Sequence, residues 1–130
     1  PILFIAAACA EGDTRATALH ELRVKESDRL AAMEAGLRAL GVDCEASADT
    51  MTIRGKAGTA FTGGTVDSRS DHRIAMSFAV AALRAAAPIV VQDCANVATS
   101  FPAFRALARA VCRTTAPPST HIPPGGILVP

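Results

Sequence analysis

Residues 28–41, DRLAAMEAGLRALG, hold the clearest structural signal in the 130-residue chain. Their apolar side chains recur at steps of three and four residues, at Leu30, Met33, Leu37 and Leu40. That spacing places them on one buried face of an α-helix. Ser27 or Asp28 can cap the start of this helix, and Gly41 can cap its end. The stretch therefore predicts a helix over residues 28–40.

Apolar runs elsewhere predict two more helices at the ends of the chain. Residues 2–10 are apolar all round, as in a core helix covered on every side, and Gly12 suits the cap after it. Ser100 can cap a last helix that has Pro102 in its first turn. The inner face of that helix is predicted to carry Phe104, Leu107 and Val111.

The middle of the chain predicts a further helix and several short strands. Residues 74–87 are nearly all apolar, and we expect a helix there that Ser70 or Asp71 caps and Pro88 ends. The predicted strands lie at residues 14–22, 42–46, 51–54 and 89–92, with a glycine-rich loop at 55–64. Strands and helices that alternate in this way indicate the α/β (α+β) class.

Composition limits the classes of protein to which the chain can belong. Its net charge is +1, with 19% charged and 4% aromatic residues, which favours neither nucleic acid nor a membrane as a partner. The 4 cysteines form no C-x-x-C motif, so we expect buried or idle thiols in a reducing cytoplasm. With only 3 histidines in addition, we expect no metal site. The apolar run at 2–10 follows no basic segment and is too short to span a bilayer. We interpret Pro1 as an artificial boundary.

Residues 25–29, KESDR, place opposite charges at the start of the predicted helix. A helix N-terminus presents free N–H groups and a partial positive charge, so Lys25 and Arg29 there would make a strong anion site. Arg29 suits bidentate recognition of a carboxylate or phosphate. Glu26 beside these cations could exchange protons with a bound substrate. The spacing also fits a solvated helix start with local ion pairs.

The tripeptide Asp71-His72-Arg73 repeats this arrangement at the start of the next helix. Arg73 follows Arg29 by 44 residues, a length typical of one structural repeat. The helix behind it is almost wholly apolar, so its charged end should mark the surface of a cleft. By itself, His72 fits a structural histidine better than a ligand. From the residues alone, the helix starts of this α/β chain suit anions.

Two strings of sequence resemble signatures of the EPSP synthases, the 3-phosphoshikimate 1-carboxyvinyltransferases. Residues 22–30, LRVKESDRL, resemble the R-V-K-E-[ST]-D-R signature, and residues 71–76, DHRIAM, resemble D-H-R-[IM]-A-M. Residues 1–12 look like the helix upstream of both, and residues 98–102 resemble the segment before the last helix. Order and spacing agree, so residues 1 to about 111 resemble a C-terminal part of such an enzyme.

The resemblance implies a fold and a reaction. The family fold has two similar domains of repeated βαβαββ units that close on the substrates. Residues 1–112 would form part of one domain, and 113–130 a proline-rich tail that we expect to be disordered. The reaction transfers the enolpyruvyl group of phosphoenolpyruvate to the 5-hydroxyl of shikimate 3-phosphate and releases phosphate, a step of aromatic amino-acid biosynthesis. It uses no metal and no organic cofactor.

The resemblance also implies a role for each site residue. Glu26 would be the general acid that protonates the methylene carbon of phosphoenolpyruvate. Arg29 and Arg73 would hold the anionic groups of phosphoenolpyruvate. Lys25 would contact the shikimate 3-phosphate side, and His72 would support the pocket. The implied partners are the two substrates and the missing N-terminal part of the same enzyme, which would be a cytoplasmic monomer at full length.

Three features depart from the family pattern. The family's catalytic aspartate lies in a D-E-x-P segment that ends at the position of Pro1, so we expect this fragment alone to be inactive. Thr99 lies where many members carry a lysine, and the proline-rich tail does not resemble the family's usual short ending. Two alternatives remain. One is the related enolpyruvyl transferase that acts on UDP-N-acetylglucosamine, and the other is a non-catalytic anion-binding module.

Overall fold

The computed structural model describes residues 1–58, 60–111 and 127–129 of the chain. The helices are α1 (Ile2–Cys9), α2 (Arg29–Ala39), α3 (His72–Ala81), α4 (Val97–Ser100) and α5 (Phe104–Val111). The strands are β1 (Gly12–Ala16), β2 (Asp43–Ala46), β3 (Met51–Gly55), β4 (Gly64–Asp67), β5 (Ile89–Gln92) and β6 (Ile127–Val129). Short 3₁₀ helices lie at His20–Val24 and Ala82–Arg84. The predicted mixture of helices and strands is confirmed.

Within the described residues, the strands form two three-stranded sheets of different topology. In the first, β3 lies between β1 and β2 and runs antiparallel to both. In the second, β5 lies between β4, to which it is parallel, and β6, to which it is antiparallel. Helix α2 contacts β2 of the first sheet and β4 of the second, and α1 contacts both β3 and α3. The helices therefore share one hydrophobic core with both sheets.

Helix α2 matches its prediction because its caps and its apolar face indicate the same first and last residues. Asp28 Oδ1 accepts a hydrogen bond from the backbone N–H of Ala31 at 3.0 Å, so Asp28 rather than Ser27 caps the helix. Gly41, at φ +81°, closes the other end and donates its N–H to the carbonyl of Arg38 at 3.0 Å. The fully buried residues of the predicted stripe are Leu30, Met33, Leu37 and Leu40.

Helices α2 and α3 approach closely because Gly36 has no side chain. A Cβ at that position would lie 2.2 Å from the ring of Phe78 on α3, so only glycine fits without a shift. The ring of Phe78 is itself fully buried. The two helices therefore pack closely at this point.

Helix α1 is covered on one side only. Its buried residues are Phe4, Ile5, Ala7 and Ala8. Ile2 and Leu3 are 48% and 78% exposed, so the prediction that the described helix is covered all round is wrong. The helix is capped at Ala10, and Gly12 begins β1 at φ +85° instead of capping the helix.

The strand predicted at residues 14–22 is wrong over its second half. Ala18 has a left-handed φ of 59°, which breaks the extended backbone. The N–H of Leu19 then donates to the carbonyl of Asp49 at 2.8 Å, and His20–Val24 form a 3₁₀ helix. The segment before the KESDR cluster is therefore bound to the turn between β2 and β3.

The helix predicted at residues 74–87 begins and ends earlier. Asp71 caps it by accepting a hydrogen bond from the N–H of Arg73 at 3.0 Å, and the α-helix stops at Ala81. The apolar residues that follow, up to position 87, do not extend the α-helix, because Ala86 donates its N–H to the carbonyl of Phe61 at 2.8 Å. An apolar pattern alone does not show where this competing pairing begins.

The C-terminal part differs most from prediction. Ser100 ends α4 and does not cap the last helix, which begins at Phe104. Leu107 is 51% exposed and so does not lie on an inner face, while the side chain of Val111 lies outside the described residues. Within the tail predicted to be disordered, residues 127–129 form β6, which pairs with β5, and disorder of the tail stays a prediction. The apolar Ile-Leu-Val segment finds backbone partners there, and the rest of the tail lies outside the described residues.

Candidate active site

A buried ion pair joins the starts of α2 and α3. Arg29, the first residue of α2, donates from Nε to Asp71 Oδ2 at 2.8 Å and from Nη2 to Asp71 Oδ1 at 3.4 Å. The side chains of Arg29 and Asp71 are 4% and 0% exposed. The two residues are 42 positions apart in sequence, and each begins or caps one of the helices with repeated charged starts.

Asp71 makes further hydrogen bonds that fix its carboxylate. Ser27 Oγ donates to Asp71 Oδ2 at 3.0 Å, and the backbone N–H of Arg73 donates to Oδ1 at 3.0 Å. Burial by itself raises the pKa of Asp71, but the hydrogen bonds from Arg29, Ser27 and Arg73 outweigh it and lower the pKa below its ordinary value of 3.8. Asp71 is thus a stable carboxylate that orients Arg29 and caps the helix that carries Arg73.

Glu26 contacts the same guanidinium from the solvent side. Glu26 Oε2 accepts a hydrogen bond from Arg29 Nη2, and the side chain of Glu26 is 53% exposed. Arg29 therefore lies between one exposed carboxylate and one buried carboxylate. Because Glu26 has room to move and Asp71 does not, an incoming anion can replace Glu26 on Arg29 while Asp71 keeps its place.

Lys25 and the Arg29 cluster are not joined by an ion pair among the described residues. Lys25 Nζ lies 3.5 Å from Glu21 Oε2, and both side chains are well exposed. Exposed pairs of this kind contribute little to stability, typically about 0–1 kcal/mol. Lys25 can therefore leave Glu21 at small cost.

Arg73 faces an open depression beside the start of α3. The depression has a volume of about 290 Å³ and is lined by Pro1, Ile2, Arg73, Met76, Ser77 and Val80. Ser77 Oγ donates to the backbone carbonyl of Arg73 at 2.7 Å, while the Arg73 side chain is exposed. His72 is partly exposed, and no hydrogen bond to its ring is found among the described residues. The side chain of Arg29 and the backbone N–H of Arg73 thus both bind the carboxylate of Asp71.

The sequence of the chain matches one protein family over most of its length. Residues 1–107 match the family described as EPSP synthase (3-phosphoshikimate 1-carboxyvinyltransferase). The chain belongs to the EPSP synthase family. Its similar relatives include the 3-phosphoshikimate 1-carboxyvinyltransferases of Methylococcus capsulatus and Acidithiobacillus ferrooxidans, 63% and 60% identical over 109 residues. Each match covers 84% of this chain and 24% of the relative, so the chain spans about a quarter of their length.

Solved structures agree with this membership. The EPSP synthase of Acinetobacter baumannii matches with a TM-score of 0.82 and 50% identity, over 85% of this chain and 26% of that one. The enolpyruvyl transferase NikO from Streptomyces tendae matches with a TM-score of 0.54 and 18% identity, over 70% of this chain and 21% of that one. The second match shows a common fold alone.

Part of the cluster in this EPSP synthase family member cannot be recognised from the sequence. The sequence predicts at most a capping role for Asp71 and Ser27, yet both build the network around Arg29. The available signal was the repeat itself, because an aspartate before a helix arginine recurs in both charged starts. Thr99 lies on α4 with an exposed side chain, and its described contacts do not join it to this cluster. No described helix is long and apolar enough to cross a membrane, and no described group of His, Cys, Asp and Glu could hold a metal ion.

Proposed function

We propose that this chain supplies the C-terminal part of an enzyme that transfers the enolpyruvyl group of phosphoenolpyruvate to the 5-hydroxyl of shikimate 3-phosphate. Phosphate is the other product, and the step belongs to aromatic amino-acid biosynthesis. The observation that carries the proposal is the position of Arg29 between Glu26 and Asp71. This cluster lies within the two signatures on which the family resemblance rests.

Arg29 and Arg73 are proposed to bind phosphoenolpyruvate. This substrate carries a carboxylate and a phosphate, which need fixed cations that do not reorganise during the reaction. Asp71 provides that rigidity, because it holds the Arg29 guanidinium and caps α3, which carries Arg73 in its first turn. Among the described residues, Arg29 Nη1 has no hydrogen-bond acceptor, so this edge can bind the substrate.

Glu26 is proposed as the proton donor to the methylene carbon. When a substrate anion replaces Glu26 on Arg29, the Glu26 carboxyl is released from its cationic partner beside the bound substrate. Glu26 then gives its proton to C3 of phosphoenolpyruvate, and the 5-hydroxyl oxygen bonds to C2 as its proton leaves. From this tetrahedral adduct the C2–O bond to phosphate breaks, and loss of a proton from C3 restores the double bond.

Lys25 is proposed to contact the shikimate 3-phosphate side, and His72 to support the pocket. The proton of the 5-hydroxyl requires a base, and the resemblance places the family's catalytic aspartate in a segment that ends at the position of Pro1. Pro1 lines the depression beside Arg73, so a chain that continues upstream would enter the site there. We propose a cytoplasmic enzyme, monomeric at full length, for which this chain alone is inactive because it holds only part of the cleft.

A full-length hybrid tests the proposal. The hybrid is the Methylococcus capsulatus relative with its matching 109 residues replaced by those of this chain. We expect phosphate release that requires both phosphoenolpyruvate and shikimate 3-phosphate, with none from the 130-residue chain alone. Release with UDP-N-acetylglucosamine in place of shikimate 3-phosphate would favour the related transferase. A folded hybrid that binds phosphoenolpyruvate without turnover would favour a non-catalytic module and contradict the proposal.

A further inference from the structure

The side chain of Arg23 connects the surface turn between β2 and β3 to the start of α2. Its Nε donates to the carbonyl of Ala48 at 2.7 Å, and Nη2 donates to the carbonyl of Ser47. Its Nη1 donates to Asp28 Oδ2 at 2.9 Å. Each guanidinium nitrogen thus binds a different acceptor, and the planar group is held in one orientation.

The turn that accepts these bonds is itself ordered. Ser47 donates its N–H to the carbonyl of Thr50 at 2.9 Å, and their hydroxyl oxygens lie 2.6 Å apart. The next carbonyl, that of Asp49, accepts the N–H of Leu19 at 2.8 Å. Three successive carbonyls, at positions 47, 48 and 49, therefore accept hydrogen bonds from residues 19–23. The turn therefore binds the 3₁₀ helix His20–Val24, which immediately precedes Lys25 and Glu26.

We propose that Arg23 is a positioning residue that holds Lys25 and Glu26 in place for the reaction. Residues 24–27 run between Arg23 and Asp28, and the ion pair between those two closes this segment into a loop. The far end of the loop is fixed separately, by the hydrogen bond from Ser27 to Asp71. Among the described residues, Arg23 and Arg29 have no hydrogen-bond partner in common, so Arg23 acts through the loop. The proposal rests on the proposed function, in which Lys25 and Glu26 meet the substrates.

The test uses the full-length hybrid with Arg23→Ala, Arg23→Lys and a matched control, Arg54→Ala. Arg54 also makes one ion pair at 2.9 Å, with Asp43, on an exposed part of the first sheet. We expect Arg23→Ala to lower kcat/KM by about 10²-fold, as for a displaced catalytic group, and Arg54→Ala to leave it unchanged. Arg23→Lys should not restore activity, because an ammonium cannot satisfy three acceptors in the guanidinium plane.

Amide hydrogen exchange supplies a second measurement that does not depend on turnover. Arg23→Ala should speed exchange at residues 24–28 and leave the interior of α2 protected, whereas Arg54→Ala should leave residues 24–28 unchanged. Unchanged exchange at 24–28 in Arg23→Ala overturns the proposal, and so does faster exchange throughout the domain, which indicates a structural role. Faster local exchange with normal kcat/KM also overturns it. If the unaltered hybrid folds but is inactive, the proposed function fails, and local exchange still decides whether Arg23 holds the loop.

Discussion

Arg29 Nε lies 2.8 Å from Asp71 Oδ2, and this ion pair is buried where α2 and α3 begin. A buried ion pair is weak evidence for stability, because the cost of removing both charges from water offsets their attraction. Its two residues nevertheless depend on each other. Without Arg29 the buried carboxylate of Asp71 would lose its counter-charge, and without Asp71 the guanidinium of Arg29 would keep only its ion pair with the exposed Glu26. The pair therefore fixes the relative positions of two helix starts that sequence places 42 residues apart.

Asp71→Asn should strongly destabilise the full-length hybrid. The substitution keeps the shape of the side chain but leaves Arg29 without its buried counter-charge, a loss of about 3–5 kcal/mol in the free energy of unfolding. Asp43→Asn is the control, because it breaks an exposed pair with Arg54 and should cost less than about 1 kcal/mol. Urea unfolding of the domain measures both. If the two variants lose the same free energy of unfolding, the buried pair contributes no more to stability than the exposed pair.

The lowered pKa of Asp71 predicts how the free energy of unfolding depends on pH. The folded-state pKa of Asp71 lies below its ordinary value of 3.8, so its contribution to stability is present above pH 3.8 and is lost as pH falls towards the folded pKa. We expect the free energy of unfolding to decrease on acidification below about pH 4. Asp71→Asn should reduce the slope of the free energy of unfolding against pH in this range, and Asp43→Asn should preserve that slope. An identical slope in Asp71→Asn would show that other groups cause the acid sensitivity.

The sequence predicted local structure better than long-range pairing. Helix α2 could be placed because its apolar spacing, its Asp28 cap and Gly41 all point to the same limits. The break at Ala18 could not, because a left-handed alanine has no local sequence signal. The Arg29–Asp71 pair joins two distant motifs, and no periodicity within either motif shows that the other is its partner.

Arg29→Lys and Arg73→Lys should have different consequences in the hybrid. The resemblance implies that both arginines hold the anionic groups of phosphoenolpyruvate, so both substitutions should raise the KM for this substrate. Arg29 is buried and bound to Asp71 through two nitrogens, so lysine there should lower stability as well. Arg73 is exposed, so lysine should raise the KM and leave the urea midpoint unchanged. Steady-state kinetics and urea unfolding of each variant decide this. A stability loss in Arg73→Lys with normal kinetics would give that arginine a structural role.

Glu26→Gln should lower turnover of the hybrid by roughly 10²-fold or more, the range expected when a general acid is lost. Glutamine has a similar size but no proton to donate to the methylene carbon. The KM for phosphoenolpyruvate should stay the same or fall, because glutamate competes with the substrate for Arg29 and neutral glutamine competes less. Glu45→Gln, at an exposed position on β2, is the control and should keep full turnover. Steady-state kinetics with both substrates measures the two effects separately. Near-normal turnover in Glu26→Gln would mean that Glu26 only pairs with Arg29, and another group would then have to supply the proton.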